Sequence, residues 1–142
     1  MLTLVQAQTV LAAALSHAEL GGLKPLAIAV LDARGAQKVF AAQDGTSLKR
    51  AEIALGKAHG AVAMGLGSRA LHKMALERPY FVEAATHAVG GSLIPVPGGV
   101  LIRDAAGALL GAVGISGDTS DNDEAAAVAG INAAGLAADT GA

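Results

Sequence analysis

Between Gly111 and Glu124 the chain reads Gly-Ala-Val-Gly-Ile-Ser-Gly-Asp-Thr-Ser-Asp-Asn-Asp-Glu, and no other stretch restricts the fold as much. An apolar run stops at a glycine turn, and the acidic start of a helix follows at once. A helix leaves its first backbone N–H groups without intrahelical acceptors. Ser116, Asp118, Thr119 and Ser120 carry side-chain oxygens that can take them. Ser120 and Asp123 have the spacing of a capping box, with Asp standing where Glu or Gln is the better partner. A strand end, a glycine-lined concavity and a helix N-terminus therefore meet at one point, a place suited to a small ligand. The carboxylates here do not follow the EF-hand pattern, which needs a Gly at the central turn and a closing bidentate Glu. Helix capping is their first explanation, and weak cation binding the second.

The remaining elements follow from local signals. Residues 3–20 read as a helix capped by Thr3, with Gln6 three residues on and Gly21-Gly22 as its stop. Leu4, Ala7, Leu11, Ala14, Leu15 and Ala18 recur at helical spacing and are expected to face the core. Two hairpins share one turn chemistry: Asp32-Ala-Arg-Gly35 joins strands at 26–32 and 37–42, and Asp104-Ala-Ala-Gly107 joins strands at 100–103 and 108–115. The aspartate caps the turn backbone and the glycine accepts positive φ. Further helices are expected at 47–64, at 69–77 with Ser68 as cap and a stop before Pro79, and at 121–136. Residues 80–89 read as a short helix or an irregular segment. Residues 93–96 read as a fifth strand, with Pro97-Gly98-Gly99 bending the chain behind it, and 137–142 as a frayed tail. Strands in hairpins with helices packed on them make an α+β fold, an antiparallel sheet flanked by helices, in a single domain over 1–142.

Composition narrows the function. Hydrophobic residues are 53% of the 142, yet aromatics are only 2%, so alanine and glycine set the packing. Such helices approach their neighbours closely, and a lone subunit exposes much small apolar surface, which points to a homo-oligomer. With a net charge of −2, no basic stripe, and Phe40, Tyr80 and Phe81 forming no stacking platform, nucleic-acid binding is not expected. The absence of cysteine removes disulfides, thiolate metal sites and covalent c-type haem attachment. The first residues lack the basic start of a signal peptide and no apolar run reaches membrane-spanning length, so a cytoplasmic protein without membrane association is expected.

Several side chains are candidates for chemistry. Lys57 shares a helix face with Ile53, Ala54 and Ala61. A lysine there either snorkels to water or holds an anion such as a carboxylate or phosphate. Arg50, two turns earlier, is a second cation. Glu52 stands three residues from Lys49 and is either a surface ion pair or a proton-transfer group. Gly90-Gly91-Ser92 and Pro97-Gly98-Gly99 bracket a short segment; the missing side chains allow either tight packing or close approach of a ligand. His17, His59, His72 and His87 have no metal-binding spacing. Of the four, His87, just before Gly90, and His72 are the candidate metal ligands, with ordinary packing as the alternative. No P-loop, nucleophile elbow or dinucleotide fingerprint occurs in its required context.

Over nearly its whole length the chain resembles the GlcG/HbpS-like family. This is the haem-binding and "haem-degrading" domain group that includes the C-terminal module of some cobalamin adenosyltransferases. The resemblance is carried by the closing motif from Gly111 to Gly130, by Pro25-Leu-Ala-Ile-Ala-Val-Leu-Asp32, by Ala51-Glu-Ile-Ala-Leu-Gly-Lys-Ala58, and by Gly90-Gly91 leading to Pro95-Val-Pro-Gly-Gly-Val100. It implies a profilin-like arrangement and, as ligand, haem or another tetrapyrrole. Lys57 stands in the family's Ala-x-x-Lys-Ala pattern and Glu52 at its acidic position. Ser92 holds the hydroxyl position after the paired glycines, an iron contact in haem-binding relatives. On this reading Lys57 and Arg50 pair with propionates, and Gly90, Gly91, Ser92, Pro97, Gly98 and Gly99 form a wall. His72 or His87 ligates iron. The alternative is an enzyme of small organic acid catabolism, with Lys57 on a carboxylate and Glu52 or His87 moving a proton. A third reading is a non-catalytic assembly subunit. The first two require that Lys57 and the glycine corners border one hollow.

Overall fold

Both Asp-x-x-Gly turns close antiparallel hairpins, β1 (Ala27–Asp32) with β2 (Gln37–Ala42) and β3 (Gly99–Arg103) with β4 (Leu109–Ser116). In a computed structural model that describes all 142 residues, Asp32 Oδ1 accepts from the backbone N–H groups of Arg34 and Ala36 at 2.9 and 3.0 Å. Asp104 Oδ1 does the same for Ala106 and Ala108, both at 2.9 Å. Gly35 and Gly107 each take φ 85°, the left-handed region these turns need. Pairing of β1 with β4 joins the hairpins, and the sheet runs β2-β1-β4-β3-β5.

The fifth strand is not the one expected. Residues 93–96 pair with no strand; they lie on helix α2 (Arg50–Met64), where Ile94 N donates to Gly56 O at 3.1 Å. Gly56 and Gly60 make this possible, because a Cβ at either would come within 2.6 Å of Ile94 Cγ1 or 2.8 Å of Leu93 Cγ. The open sheet edge beside β3 is taken instead by β5 (Ala137–Asp139), in the tail expected to fray. Arg103 Nε donates to Asp139 Oδ2 across that pair at 2.9 Å.

The other helices are α1 (Leu4–Gly21), α3 (Ser68–Glu77), α4 (Pro79–Ala88) and α5 (Ser120–Ala133). α1 carries the Thr3–Gln6 capping box in full. Two cap assignments differ from expectation. Gly67 precedes α3, and Ser68 Oγ instead accepts the buried Gly99 N–H at 2.7 Å. α5 is capped by Thr119, which accepts from Asn122 N at 3.2 Å, so Asp123 is released from capping-box duty.

Strand alternation separates two cores. Ile28, Val30, Val113 and Ile115 face α1 and α5, against Val10, Ala14 and Ile131. Leu31, Leu101 and Ala112 face α2, against Ala58 and Ala61. α2 lies very close to the sheet: a Cβ on Gly114 would run into the Ala54 carbonyl oxygen, and one on Gly99 into that of Lys57. The alanine and glycine content thus shows up as close backbone approach, and it carries Lys57 to the end of β4.

Candidate functional site

Lys57 is almost wholly buried, as is Asp123, at 2% and 1% exposure. The Lys57 ammonium donates to Ile115 O at 2.8 Å and to Asp123 Oδ2 at 3.1 Å. Asp123 Oδ1 accepts the Asp118 N–H at 2.9 Å. A buried charge survives only when paired and hydrogen-bonded, and this pair meets both conditions. Burial depresses the Lys57 pKa while the Asp123 charge opposes the shift; burial also raises the Asp123 carboxyl while Lys57 opposes it. Arg50 adds to the same cluster, donating to the buried Ser116 Oγ at 3.1 Å.

Lys57 does lie beside Gly98, where a Cβ would sit 2.8 Å from its Nζ. No hollow separates them, however, and Lys57 lines none of the cavities. The expected single hollow is filled by the cluster of Lys57, Asp123, Arg50 and Ser116, because the lysine's counter-charge comes from inside the protein. Two of the open clefts are lined by residues of the expected site.

The first, about 500 Å³, lies between the N-terminal half of α2 and the segment 90–94. Ile53, Leu55, Leu93 and Ile94 give it apolar walls, and Gly56, Gly90, Gly91 and Ser92 line the rest. Gly90 and Gly91 take φ 88° and 94°, and no atom lies within 4 Å of where their Cβ atoms would stand. Lys49 and Glu52 form a 2.8 Å ion pair at the rim, 68% and 69% exposed. From behind, the His59 Nδ1–H donates to the Ser92 carbonyl at 2.8 Å, which fixes the wall.

The second cleft, about 320 Å³, is lined by Arg69, His72, Val96, Pro97, Thr119, Ser120 and Asp121. Arg69 bonds both Glu124, at 3.0 Å from Nε, and Asp121, and these bonds push its pKa above the usual arginine value. His72 Nδ1–H donates to Pro95 O at 3.2 Å, leaving Nε2 as the basic nitrogen of the neutral ring.

The candidates therefore separate. Gly90, Gly91, Ser92 and Glu52 share the first cleft; Pro97 and His72 share the second; Gly98 and Gly99 are buried against Lys57 and Ser68. His87 is exposed in the last turn of α4 and lines neither cleft. Lys57, Glu52 and His87, the trio invoked for proton transfer on a bound carboxylate, are not brought together. No three His, Asp or Glu side chains are grouped to hold a metal ion. Sequence reasoning missed His59, Arg69 and the role of Asp123. A lone lysine on an apolar helix face was the available signal for Asp123, since it demands a carboxylate partner.

Residues 2–132 match the family model described as haem degrading protein HbpS-like. No curated protein matches the chain in sequence. The crystal structure of a PduOC:heme complex gives a TM-score of 0.85 at 25% identity, over 96% of this chain and 96% of that one. The crystal structure of HbpS gives 0.79 at 30% identity, over 92% and 88% of the two chains. That of Klebsiella pneumoniae protein ORFY gives 0.82 at 22%, over 94% and 90%, a likeness of fold.

Proposed function

The chain belongs to the HbpS-like family of haem-degrading proteins, and we propose that it binds haem or a related tetrapyrrole in the cleft between α2 and segment 90–94. The observation that carries this reading is the lining of that cleft: four aliphatic side chains, open glycine backbone and a cation at the rim. A flat apolar ring seats against Ile53, Leu55, Leu93 and Ile94, each 100 Å² of apolar surface covered being worth about 2.5 kcal/mol. Gly90 and Gly91 leave room for its edge. Lys49 takes the propionate-pairing role first assigned to Lys57 and Arg50, because it lines the cleft and they do not; a propionate there competes with Glu52 for the Lys49 ammonium. The PduOC:heme complex, similar over 96% of both chains, supports the same ligand class.

Haem, when bound, supplies a redox-active iron. Within the cleft the side-chain oxygens that could face it are the Ser92 hydroxyl, a neutral and weak donor, and the Glu52 carboxylate, which Lys49 holds at the rim. Affinity therefore rests on apolar burial and carboxylate pairing. His72 opens onto the other cleft and shares no cavity with Ser92.

Haemin titration followed at the Soret band tests the reading. A saturable shift at one haemin per chain is expected. Lys49→Glu is expected to weaken it about tenfold, the cost of replacing an attractive rim charge by a repulsive one. A Soret band identical to that of free haemin at stoichiometric protein would overturn the proposal. Loss of binding on His72→Ala with no effect of Lys49→Glu would move the site to the second cleft.

A further inference from the structure

Each hairpin carries a β-bulge close to its turn. Between β1 and β2 the register runs from Ala27↔Ala42 to Val30↔Val39 and then steps to Leu31↔Gln37, which leaves Lys38 unpaired. Between β3 and β4 it runs from Gly99↔Gly114 to Ile102↔Gly111 and then steps to Arg103↔Leu109, which leaves Leu110 unpaired. A bulge breaks the strict alternation of a strand and re-aims the side chain at the extra residue. Counted back from Val113, which faces α1, alternation alone turns Leu110 toward α2. Leu110 instead belongs to the α1-side core, together with the buried Leu2. Counted back from Val39, which packs on the same core, alternation turns Lys38 toward α2 as well. Lys38 instead lines a hollow with Leu2 and Leu110.

The two bulges therefore converge on one place. The hollow measures about 400 Å³ and is closed on one side by the first hairpin turn, at Asp32, Ala33 and Arg34. That volume suits a small molecule. The hollow shares no residue with either cleft described above.

Its charge comes down to one group. Asp32 Oδ1 accepts the backbone N–H groups of Arg34 and Ala36, and Oδ2 accepts the Arg34 guanidinium, so that carboxylate and that cation are matched to each other. Lys38 is half-buried and has no ion-pair partner in the chain. A partly desolvated cation without an anion gains from acquiring one. Beside it Leu2 and Leu110 present aliphatic surface. A phosphate or a polyol needs several donors, whereas one ammonium next to an apolar wall matches a single carboxylate on an apolar body.

We infer that this hollow is a second ligand site, apart from the haem cleft, for a small aliphatic monocarboxylate whose carboxylate pairs with Lys38 and whose chain lies on Leu2 and Leu110. Octanoate is the probe, titrated by calorimetry and followed by the NMR shifts of the methyl groups. Saturable binding with a dissociation constant on the order of 0.1–1 mM is expected, with the largest shifts at Leu2 and Leu110. Shorter acids are expected to bind about fourfold more weakly for each methylene removed. Lys38→Met keeps the apolar stem and removes the charge; it is expected to weaken octanoate about tenfold and to leave the neutral octanamide unchanged. Lys38→Arg is expected to keep most of the octanoate affinity. Haemin titration is expected to be the same with and without octanoate, so the two sites are judged separately. No saturation by about 10 mM octanoate, equal octanoate affinity in the wild type and Lys38→Met, or shifts confined to Ile53, Leu55, Leu93 and Ile94 overturns the proposal. If Lys38→Met fails to fold by circular dichroism, the wild type decides: octanamide binding as tightly as octanoate overturns the proposal, and clearly weaker binding supports it.

Discussion

Lys57 Nζ lies 3.1 Å from Asp123 Oδ2, with both side chains almost completely withdrawn from water. The pair ties the middle of α2 to the first turn of α5 beside the end of β4, where the same ammonium also bonds the Ile115 carbonyl. It is a structural bond, and neither residue lines a cleft.

Breaking this pair is expected to be costly. Lys57→Ala or Asp123→Ala leaves one buried charge without a partner, a loss of about 3–5 kcal/mol. The double variant Lys57→Met/Asp123→Leu removes both charges and is expected to be more stable than either single one. Urea unfolding midpoints measure all three. Single variants within experimental error of the wild type would contradict the buried pair.

Stability is expected to fall on acidification through a different carboxylate. Asp118 accepts from Lys24 N, Asn122 Nδ2 and Thr119 N, and these bonds hold its pKa at about 2 against an ordinary 3.8. A carboxyl whose folded pKa is depressed contributes stability that is complete above its unfolded value and lost as pH falls through its folded one. The window is therefore from about pH 4 down to about 2. Asp32, lowered by its bonds to Ala36 and Arg34 although burial opposes them, acts in the same direction. Asp123, raised by burial, acts in the opposite direction above 3.8. Unfolding midpoints of the wild type and Asp118→Asn across this window isolate the Asp118 contribution: the two curves should converge at the acid end.

Gly114 and Gly107 are expected to respond very differently to alanine. At Gly114 the added methyl meets the Ala54 carbonyl oxygen, so α2 must lift from the sheet, at roughly 1–3 kcal/mol or more. At Gly107 the space is open and only the φ of 85° resists, at roughly 1 kcal/mol. Thermal unfolding of the two variants should rank them in that order.

His59 is expected to support the cleft without touching a ligand. Its Nδ1–H bond to the Ser92 carbonyl, once removed in His59→Ala, should lower haemin affinity about two- to tenfold, the worth of one hydrogen bond. Asn carries an N–H donor at a similar position, so His59→Asn should recover most of the loss. Equal binding by all three proteins would show that the wall needs no such support.

Much of the fold was legible because it is written in short-range chemistry. The Asp32–Gly35 and Asp104–Gly107 turns and the Thr3–Gln6 box each involve residues within one turn of one another, whereas the apolar face expected for α1 held only in part, Leu4 being exposed and Val10 buried. The hydrogen-bond partners in the turns and the box are fixed by spacing along the chain and need no long-range contact to be named. The strand at 93–96 was misread because an apolar run has no intrinsic way to choose between a sheet edge and a glycine groove. Gly56 and Gly60 offered the groove, and β5 occupied the edge.

By itself the sequence determined most of the helices, both hairpins, the α+β class and the family, since these depend on local propensity, turn chemistry and spelling. For Gly90, Gly91 and Ser92 it left tight packing and an open wall as alternatives, and the positive φ and open surroundings of the two glycines are the structure's contribution. Tertiary structure alone decided that Lys57 is spent on Asp123, 66 residues away, and that Lys49 is the cation left at the cleft. A buried lysine takes whichever anion the fold brings nearest, and that distance is set only when α2 and α5 close over the sheet.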